Sequence, residues 1–133
     1  MIEFVVAGIP RSAQTKSPKS RSDWKAKVEA AARARDLQSE IIGGKSFSAT
    51  IVYFYADETE LDVDSIGKLL LDSLVGFLYD DDSQAEQVLL RKTSTTGIVI
   101  NNPPPILVEA LAKQLNFVFV RFNEGPDHKE LPA

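Results

Sequence analysis

The sequence predicts an α/β fold, in which helices pack against a mixed β-sheet within a single domain. The chain has 133 residues, enough for one domain with a core, and 44% of them are hydrophobic while 26% are charged. Short, apolar, β-branched segments alternate with segments whose apolar residues recur every three to four positions. These observations predict the order β-α-β-α-β-β-α-β.

The first three elements follow from two apolar segments and an amphipathic one. Residues 2–7 (IEFVVA) predict a strand, and a polar, basic loop follows it. Ser22 or Asp23 can cap a helix that runs to about Leu37. The apolar side of this helix consists of Trp24, Val28, Ala31 and Ala32. Residues 48–55 (SATIVYFY) predict the second strand.

A second helix and two further strands come next. The helix is predicted to begin near Asp64 or Ser65 and to end near Val75-Gly76. Its buried stripe consists of Ile66, Leu69, Leu70 and Leu74. Residues 88–93 and 97–101 predict two strands around a Ser-Thr-Thr-Gly turn.

The last elements follow a proline-rich break. Pro104 or Pro105 can occupy the first turn of a helix that runs to about Gln114. Residues 116–122 (NFVFVRF) alternate and predict a final strand, whose phenylalanines we expect in core or interface packing. We expect residues 1–123 to form the domain and residues 124–133 to form a flexible C-terminal tail.

Composition argues against several classes of site. The chain has no cysteine, which excludes disulfides and thiolate metal sites, and its one histidine, His128, lies in the polar tail. No apolar run is long enough to span a bilayer, and the N-terminus lacks signal-peptide features. We therefore expect a soluble, cytoplasmic protein with no membrane partner and no small-molecule cofactor.

Charge is unevenly distributed along the chain, although the net charge is only −4. Residues 1–45 carry nine Lys or Arg against five acids, whereas residues 57–86 carry ten acids and one base. This asymmetry is typical of a metal-dependent phosphodiesterase, because basic groups hold phosphates and metal ions mask the acids. The alternative is a solvated charged surface with a chance asymmetry.

Carboxylates around the second helix form a candidate metal site. Asp62 and Asp64 lie two residues apart, so an extended backbone would point both to one face. Lys68 follows one turn later, and a chain reversal at the glycine that ends the helix can bring Asp81 or Asp82 back to the same end. Three carboxylates are enough to hold one or two Mg²⁺ ions, and a lysine beside them suggests chemistry on a phosphate.

Each of these residues also has a purely structural interpretation. Asp64 can be only a helix cap, or can form a surface pair with Lys68 at a four-residue spacing. Asp62 can be a loop residue, and the run of aspartates at residues 80–82 can be a solvated turn. Spacing alone leaves both interpretations open.

The motifs of this segment resemble the RusA family of Holliday junction resolvases. The family has an Asp-x-Asp-Asn motif, a lysine four residues after its second Asp, a Leu-Asp-Ala-Leu-like helical turn, a glycine and an Asp-Asp-x-Gln motif. The corresponding residues here are Asp62-Val63-Asp64-Ser65, Lys68, Leu71-Asp72-Ser73-Leu74, Gly76 and Asp81-Asp82-Ser83-Gln84. Gly8-Ile9-Pro10, Ser12, Gln14 and Trp24 also look like family members, so the resemblance covers roughly residues 1–100.

The resemblance implies a RusA-like fold and a function. It implies a homodimer, bacterial or phage-encoded, that resolves four-way (Holliday) DNA junctions by paired phosphodiester hydrolysis in recombination and repair. The implied cofactor is Mg²⁺, for which Mn²⁺ can substitute. The implied catalytic residues are Asp62, Asp64, Lys68 and Asp82, and the three aspartates among them are the implied metal ligands. Asp72 and Asp81 are implied supporting residues.

Two departures from the family pattern leave alternatives open. Ser65 stands where the family usually has Asn, and residues 102–122 do not match the compact end of the family. One alternative is therefore a protein that binds branched DNA with a degraded active site, and another is a metal-dependent nuclease on other DNA structures.

The N-terminal basic loop offers a candidate DNA contact. We expect its basic side chains to bind junction phosphates, and the alternative is a flexible, solvated loop. These side chains are Arg11, Lys16, Lys19 and Arg21.

Overall fold

The computed structural model describes residues 1–12, 14–35, 42–56, 59 and 61–125. In this part of the chain, four strands form one mixed sheet with helices on it, which confirms the predicted α/β class. The strands are β1 (Ile2–Ala7), β2 (Phe47–Tyr55), β3 (Ala85–Ser94) and β4 (Phe117–Glu124). The helices are α1 (Pro18–Arg33), α2 (Lys68–Asp72) and α3 (Pro105–Lys113), with 3₁₀ turns at Val63–Ile66 and Asp82–Gln84.

The sheet has the strand order β1-β4-β2-β3. β4 pairs antiparallel with both β1 and β2, whereas β2 and β3 run parallel. Parallel neighbours need a crossover connection, and here that connection contains both 3₁₀ turns and α2. The acidic segment of the sequence therefore forms most of this crossover, which is joined to β2 at one end and to β3 at the other.

Two apolar clusters cover the two faces of the sheet. On one face, Trp24 and Val28 of α1 and the stripe of α2 pack against alternate residues of the strands. The predicted stripe residues Ile66, Leu69, Leu70 and Leu74 are all buried, as expected, and each contributes about 1.5–3 kcal/mol by leaving water. On the other face, Leu107 and Ala110 of α3 pack against Phe117 and Phe119.

The first helix begins earlier than the sequence predicts. Its N-cap is Ser17, whose hydroxyl accepts a hydrogen bond from the backbone N–H of Ser20 at 3.1 Å, rather than Ser22 or Asp23. Pro18 occupies the first turn, where a missing N–H costs nothing, so this proline starts the helix instead of belonging to a loop. The helix ends at Arg33, and the predicted end at Leu37 lies outside the described residues.

The second helix and one strand also differ from the prediction. The helix is not continuous: Gly67 separates the turn at Val63–Ile66 from a short α2. Gly67 also lies close to β3, where a Cβ would meet the Leu90 side chain at 2.7 Å. The strand predicted at residues 97–101 is wrong. Ile98 and Ile100 pack against the α3 cluster by their side chains without joining the sheet.

The C-terminal prediction falls partly outside the described residues. Glu124 is the last residue of β4, and the Gly125 N–H donates to the Ser46 carbonyl at 3.1 Å. Residues 126–133 of the predicted tail are not among the residues described.

Candidate active site

Asp62 and Asp64 stand at the start of the crossover turn. Asp62 occupies the N-cap position of the 3₁₀ turn, and its carbonyl accepts a hydrogen bond from the Ser65 N–H at 3.0 Å. Its side chain makes no capping bond, and both carboxylates are exposed. The Lys92 ammonium on β3 donates to the Leu61 carbonyl at 2.9 Å and fixes the backbone just before Asp62. The two carboxylates are thus held in place by backbone contacts and are not used to build the turn.

Lys68, the first residue of α2, lies between two carboxylates. Its Nζ donates to Asp72 Oδ1 at 2.9 Å and to Asp82 Oδ2 at 3.1 Å. The hydrogen bond to Asp72, and then the one to Asp82, raises the pKa of Lys68 above its ordinary value. The side chain therefore carries its positive charge throughout the neutral range. Lys68 thus pairs with Asp72 and Asp82, and not with Asp64 as the four-residue spacing suggested.

The loop before β3 separates the roles of Asp81 and Asp82. Asp81 caps the 3₁₀ turn, because its carboxylate accepts hydrogen bonds from the hydroxyl and the backbone N–H of Ser83. These bonds lower the pKa of Asp81 below its ordinary value. Asp82, by contrast, turns its half-exposed carboxylate to Lys68. This geometry favours Asp82 over Asp81 as the chemically active member of the pair.

Two residues without a role in the sequence prediction hold this loop. The buried ring of Tyr79 packs against Phe47 with centroids 4.5 Å apart, and its hydroxyl donates to the Leu71 carbonyl of α2. Burial, and to a smaller extent the nearby Asp72 and Asp82 charges, raise the pKa of Tyr79, so the phenol stays protonated and able to donate.

Gln84 is the second such residue, and its amide bridges the loop to the chain before β2. The sequence offered two signals for it, its place in the Asp-Asp-x-Gln motif and the capping-box spacing from Asp81, but the partners of its Nε2 lie about forty residues away and have no local signal.

The structure gathers part of the predicted site. Lys68, Asp72 and Asp82 form one ion-paired group. Within the described residues, no three His, Cys, Asp or Glu side chains lie close enough together to hold a metal ion, so Asp62 and Asp64 are not joined to Asp82 in one ligand set. Ionised carboxylates repel one another, and here Lys68 neutralises Asp82 instead.

The donor chemistry of the predicted ligands fits a hard divalent cation. Asp62, Asp64 and Asp82 offer only carboxylate oxygens, which are the ligands that Mg²⁺ and Mn²⁺ prefer. All three side chains are exposed, so an ion can reach them from water. The residue types therefore suit the metal that the family resemblance implies, although the three carboxylates are not gathered into one ligand set in the part of the chain that the structure describes.

A groove of about 590 Å³ lies between α1 and α2 and reaches Asp72, one member of the ion-paired group of Lys68, Asp72 and Asp82 (the lysine-aspartate group). Arg21, Lys25 and Glu29 line its α1 side, and Asp72 lines its α2 side. Arg21 also donates to the Thr15 carbonyl, which ties the preceding loop to the helix. Among the predicted DNA contacts, only Arg21 lines this groove.

The other predicted DNA contacts lie apart from the groove. Lys19 is on α1, where it pairs with Asp23 at 3.8 Å, while Arg11 and Lys16 are exposed on the loop. Lys25, one turn after Arg21 on α1, is the second basic residue on the groove wall.

A comparison with protein families identifies the domain. The family model described as endodeoxyribonuclease RusA matches residues 7–101, which is more than half of the chain. This chain belongs to the RusA endodeoxyribonuclease family. The RusA match includes the whole crossover, so the lysine-aspartate group lies within the residues that match the nuclease family.

The RusA match also has limits that agree with the sequence. It ends at Asn101, so α3 and β4 lie beyond it, as the unmatched segment from residue 102 predicted. No curated protein gives a significant match to the chain. Within the described residues, no helix of this RusA-family protein is long and apolar enough to cross a membrane.

Proposed function

We propose that this chain is a Mg²⁺-dependent endodeoxyribonuclease that resolves four-way DNA junctions during recombination and repair. The observation that carries the proposal is the Lys68 ammonium, held at 2.9 Å from Asp72 and 3.1 Å from Asp82 inside the family match. A cation fixed beside exposed carboxylates is the arrangement that cleavage of a phosphodiester needs, because negative charge develops on the phosphate oxygens.

The residues of the site have separate roles in this proposal. Asp62, Asp64 and Asp82 would hold the metal, which activates water and neutralises phosphate charge when it is bound. Lys68 stabilises negative charge on the scissile phosphate, and Asp72 orients the ammonium from the next turn of α2. Mn²⁺ fits the same oxygen ligands and would replace Mg²⁺.

The groove at α1 supports binding of a DNA backbone beside the site. Arg21 and Lys25 carry the positive charge that a phosphate chain needs, and Asp72 at the far wall joins this groove to Lys68. Arg11 and Lys16, exposed on the adjoining loop, would contact the same backbone farther out. The net charge of −4 is unfavourable for DNA, so affinity should fall steeply with salt.

The outer edge of β3 supports a homodimer. β3 pairs with β2 on one side, and the described part of the chain provides no strand on its other side. Val88 and Leu89 are 40% and 46% exposed there. Antiparallel pairing of two copies about Leu89 would set Glu86 opposite Lys92 of the second copy, which is a favourable cross-strand pair. Two copies would supply the two sites that paired cleavage needs.

The dimer is tested by sedimentation of single variants. Leu89→Lys should sediment as a monomer, because it places like charges at the proposed two-fold axis. Leu115→Lys, at a 76% exposed site outside the strands, is the matched control and should remain dimeric. A wild-type monomer, or an unaffected Leu89→Lys, would contradict the proposed contact.

The function is tested by comparing DNA structures in one assay. Four-way junctions, flaps and duplexes of equal length are each incubated with the protein and Mg²⁺, with every strand labelled in turn. We expect cleavage of the junction alone, and its loss in Asp64→Asn and Lys68→Ala with junction binding retained. Faster cleavage of flaps or duplexes would contradict the junction assignment.

A branched-DNA-binding protein with a degraded site is the second candidate. Ser65, which stands where the family usually has Asn, favours it: its side chain makes no hydrogen bond within the described residues, and its backbone N–H donates to the Asp62 carbonyl. Junction binding without cleavage in either Mg²⁺ or Mn²⁺ would establish this alternative. Restored cleavage in Ser65→Asn would then locate the defect.

A further inference from the structure

We propose that Gln84 is a positioning residue for cleavage, because it fixes the loop that presents the Asp82 carboxylate to Lys68. The inference rests on the proposed nuclease function. It assigns Gln84 no contact with DNA or metal: its effect passes through Asp82, two residues earlier in the same 3₁₀ turn.

The Gln84 side-chain amide uses all of its hydrogen-bonding capacity. Its Oε1 accepts from the backbone N–H groups of Asp80 at 2.9 Å and Asp81 at 2.8 Å. Its Nε2 donates to the carbonyls of Gly43 at 2.7 Å and Lys45 at 2.6 Å. An amide offers two donors and two acceptor lone pairs, so no capacity is left over. If the amide were reversed, its NH₂ group would face the N–H groups of Asp80 and Asp81, and its oxygen would face the carbonyls of Gly43 and Lys45.

These four bonds join the Asp82 loop to the central part of the sheet. Gly43 and Lys45 lie just before β2, whose first residue, Phe47, is fully buried. The same segment holds the start of the loop through Gly43, whose carbonyl also accepts from the Asp80 N–H at 3.2 Å. Gln84 therefore both closes the turn through Asp80 and Asp81 and ties it to the segment before β2.

Asp82 is not held in place by burial, because its side chain is half exposed. Among the described residues, the ion pair that its carboxylate makes across the site is the 3.1 Å bond to Lys68. A 3₁₀ turn of three residues has little stability by itself. Without the Gln84 amide, the loop could keep its fold at Tyr79 and still present Asp82 at a different place.

The substitution Gln84→Glu removes this support with almost no change of shape. The introduced carboxylate can still accept from Asp80 and Asp81, but its other oxygen would face the Gly43 and Lys45 carbonyls without a proton to donate. Gln84→Met removes all four bonds and adds no charge. Gln114→Glu is the matched control, because it adds the same charge at an exposed position at the end of α3, away from the site and from β3.

The first measurement compares single-turnover cleavage and junction affinity in these variants. Gln84→Glu and Gln84→Met should lower the cleavage rate about 10- to 100-fold, as supporting contacts of metal and catalytic groups do. The junction dissociation constant should stay within about threefold of wild type, since Gln84 is not a DNA contact. Gln114→Glu should match wild type in both quantities.

The second measurement is amide hydrogen exchange of the folded wild-type protein, which does not depend on activity or on any variant folding. The Asp81 N–H should be protected, because its hydrogen bond is to Gln84. An unprotected Asp81 amide would overturn the inference.

An inactive wild-type protein would overturn the proposed function and this inference with it. Active wild type with Gln84 variants that cleave like Gln114→Glu would overturn the inference alone. Equal losses of rate and junction affinity would also overturn it, because they would indicate general damage.

Discussion

Asp82→Asn and Asp80→Asn form a matched pair that distinguishes a specific role of the Asp82 carboxylate from a general effect of the negative charge of the loop. Both substitutions remove one negative charge from the same loop and keep the side-chain size. Asp82 lies 3.1 Å from Lys68 Nζ, whereas the Asp80 carboxylate lies beside Gly44, away from that group. Long-range effects on DNA binding are therefore nearly equal in the two variants, and a difference between them reports the position of Asp82.

The structure sets the expected magnitudes. Lys68 keeps its 2.9 Å bond to Asp72 in either variant, and exposed ion pairs contribute little to folding. Both variants should therefore melt within about 3 °C of wild type. Removing a negative charge should leave junction affinity equal or slightly higher in both, since phosphate repulsion falls. Cleavage should fall at least about 100-fold in Asp82→Asn, because a metal ligand matters at least as much as its supporting contacts.

The assay is single-turnover cleavage of a labelled junction, with melting temperatures and junction affinities measured on the same preparations. Asp80→Asn should cleave within about threefold of wild type. If both variants fold and bind the junction, a wild-type cleavage rate in Asp82→Asn would refute the role given to Asp82. The same loss of rate in both variants would refute it too, because it would show that the charge of the loop matters and not one carboxylate.

Three further predictions concern stability and DNA binding. Tyr79→Phe should lose one buried hydrogen bond, about 1 kcal/mol in urea unfolding. Folding raises the pKa of Tyr79, so its stabilising effect is complete below about pH 10 and is lost as the pH rises further. Above about pH 10 the wild type should therefore lose stability that Tyr79→Phe keeps. The same loss of stability with pH in both proteins would contradict this reasoning. Leu70→Ala, at a fully buried site, should cost about 2–5 kcal/mol in the same experiment, and a cost below 1 kcal/mol would contradict the packing described. Arg21→Gln should weaken junction binding and reduce the slope of log affinity against log salt by about one, while Lys113→Gln on the opposite face should leave the slope unchanged.

Local periodicity was enough to predict most of the fold. The stripe from Ile66 to Leu74 is buried as expected, because burial follows side-chain spacing within one element. β4 is a strand as predicted, but residues 117–120 are all buried because apolar clusters cover both faces of the sheet, which local alternation does not predict. The approach of Leu90 to Gly67 joins residues far apart in the sequence, and no local pattern contains that contact. Ile98 and Ile100 alternate like a strand but meet α3 instead of a neighbouring strand, and only the tertiary structure distinguishes these cases.

The candidate site, too, was predictable from local spacing only in part. The four-residue spacing predicted that Lys68 and Asp72 share a helix edge, and they are in contact. The Lys68–Asp82 pair spans fourteen residues, so it followed from motif resemblance and not from periodicity. Spacing alone also left Asp81 and Asp82 equivalent, and the capping bonds of Asp81 now distinguish them. The predicted roles of Asp62 and Asp64 stay predictions.

Coordinated cleavage of a cruciform in a supercoiled plasmid tests the central proposal most directly. Two nicks within one binding event give linear plasmid, whereas independent nicks first give open circles. The account predicts linear product with Mg²⁺, none with a chelator, and none for Asp64→Asn at protein concentrations that saturate the cruciform. A folded wild-type protein that binds the cruciform but leaves the plasmid supercoiled would contradict it.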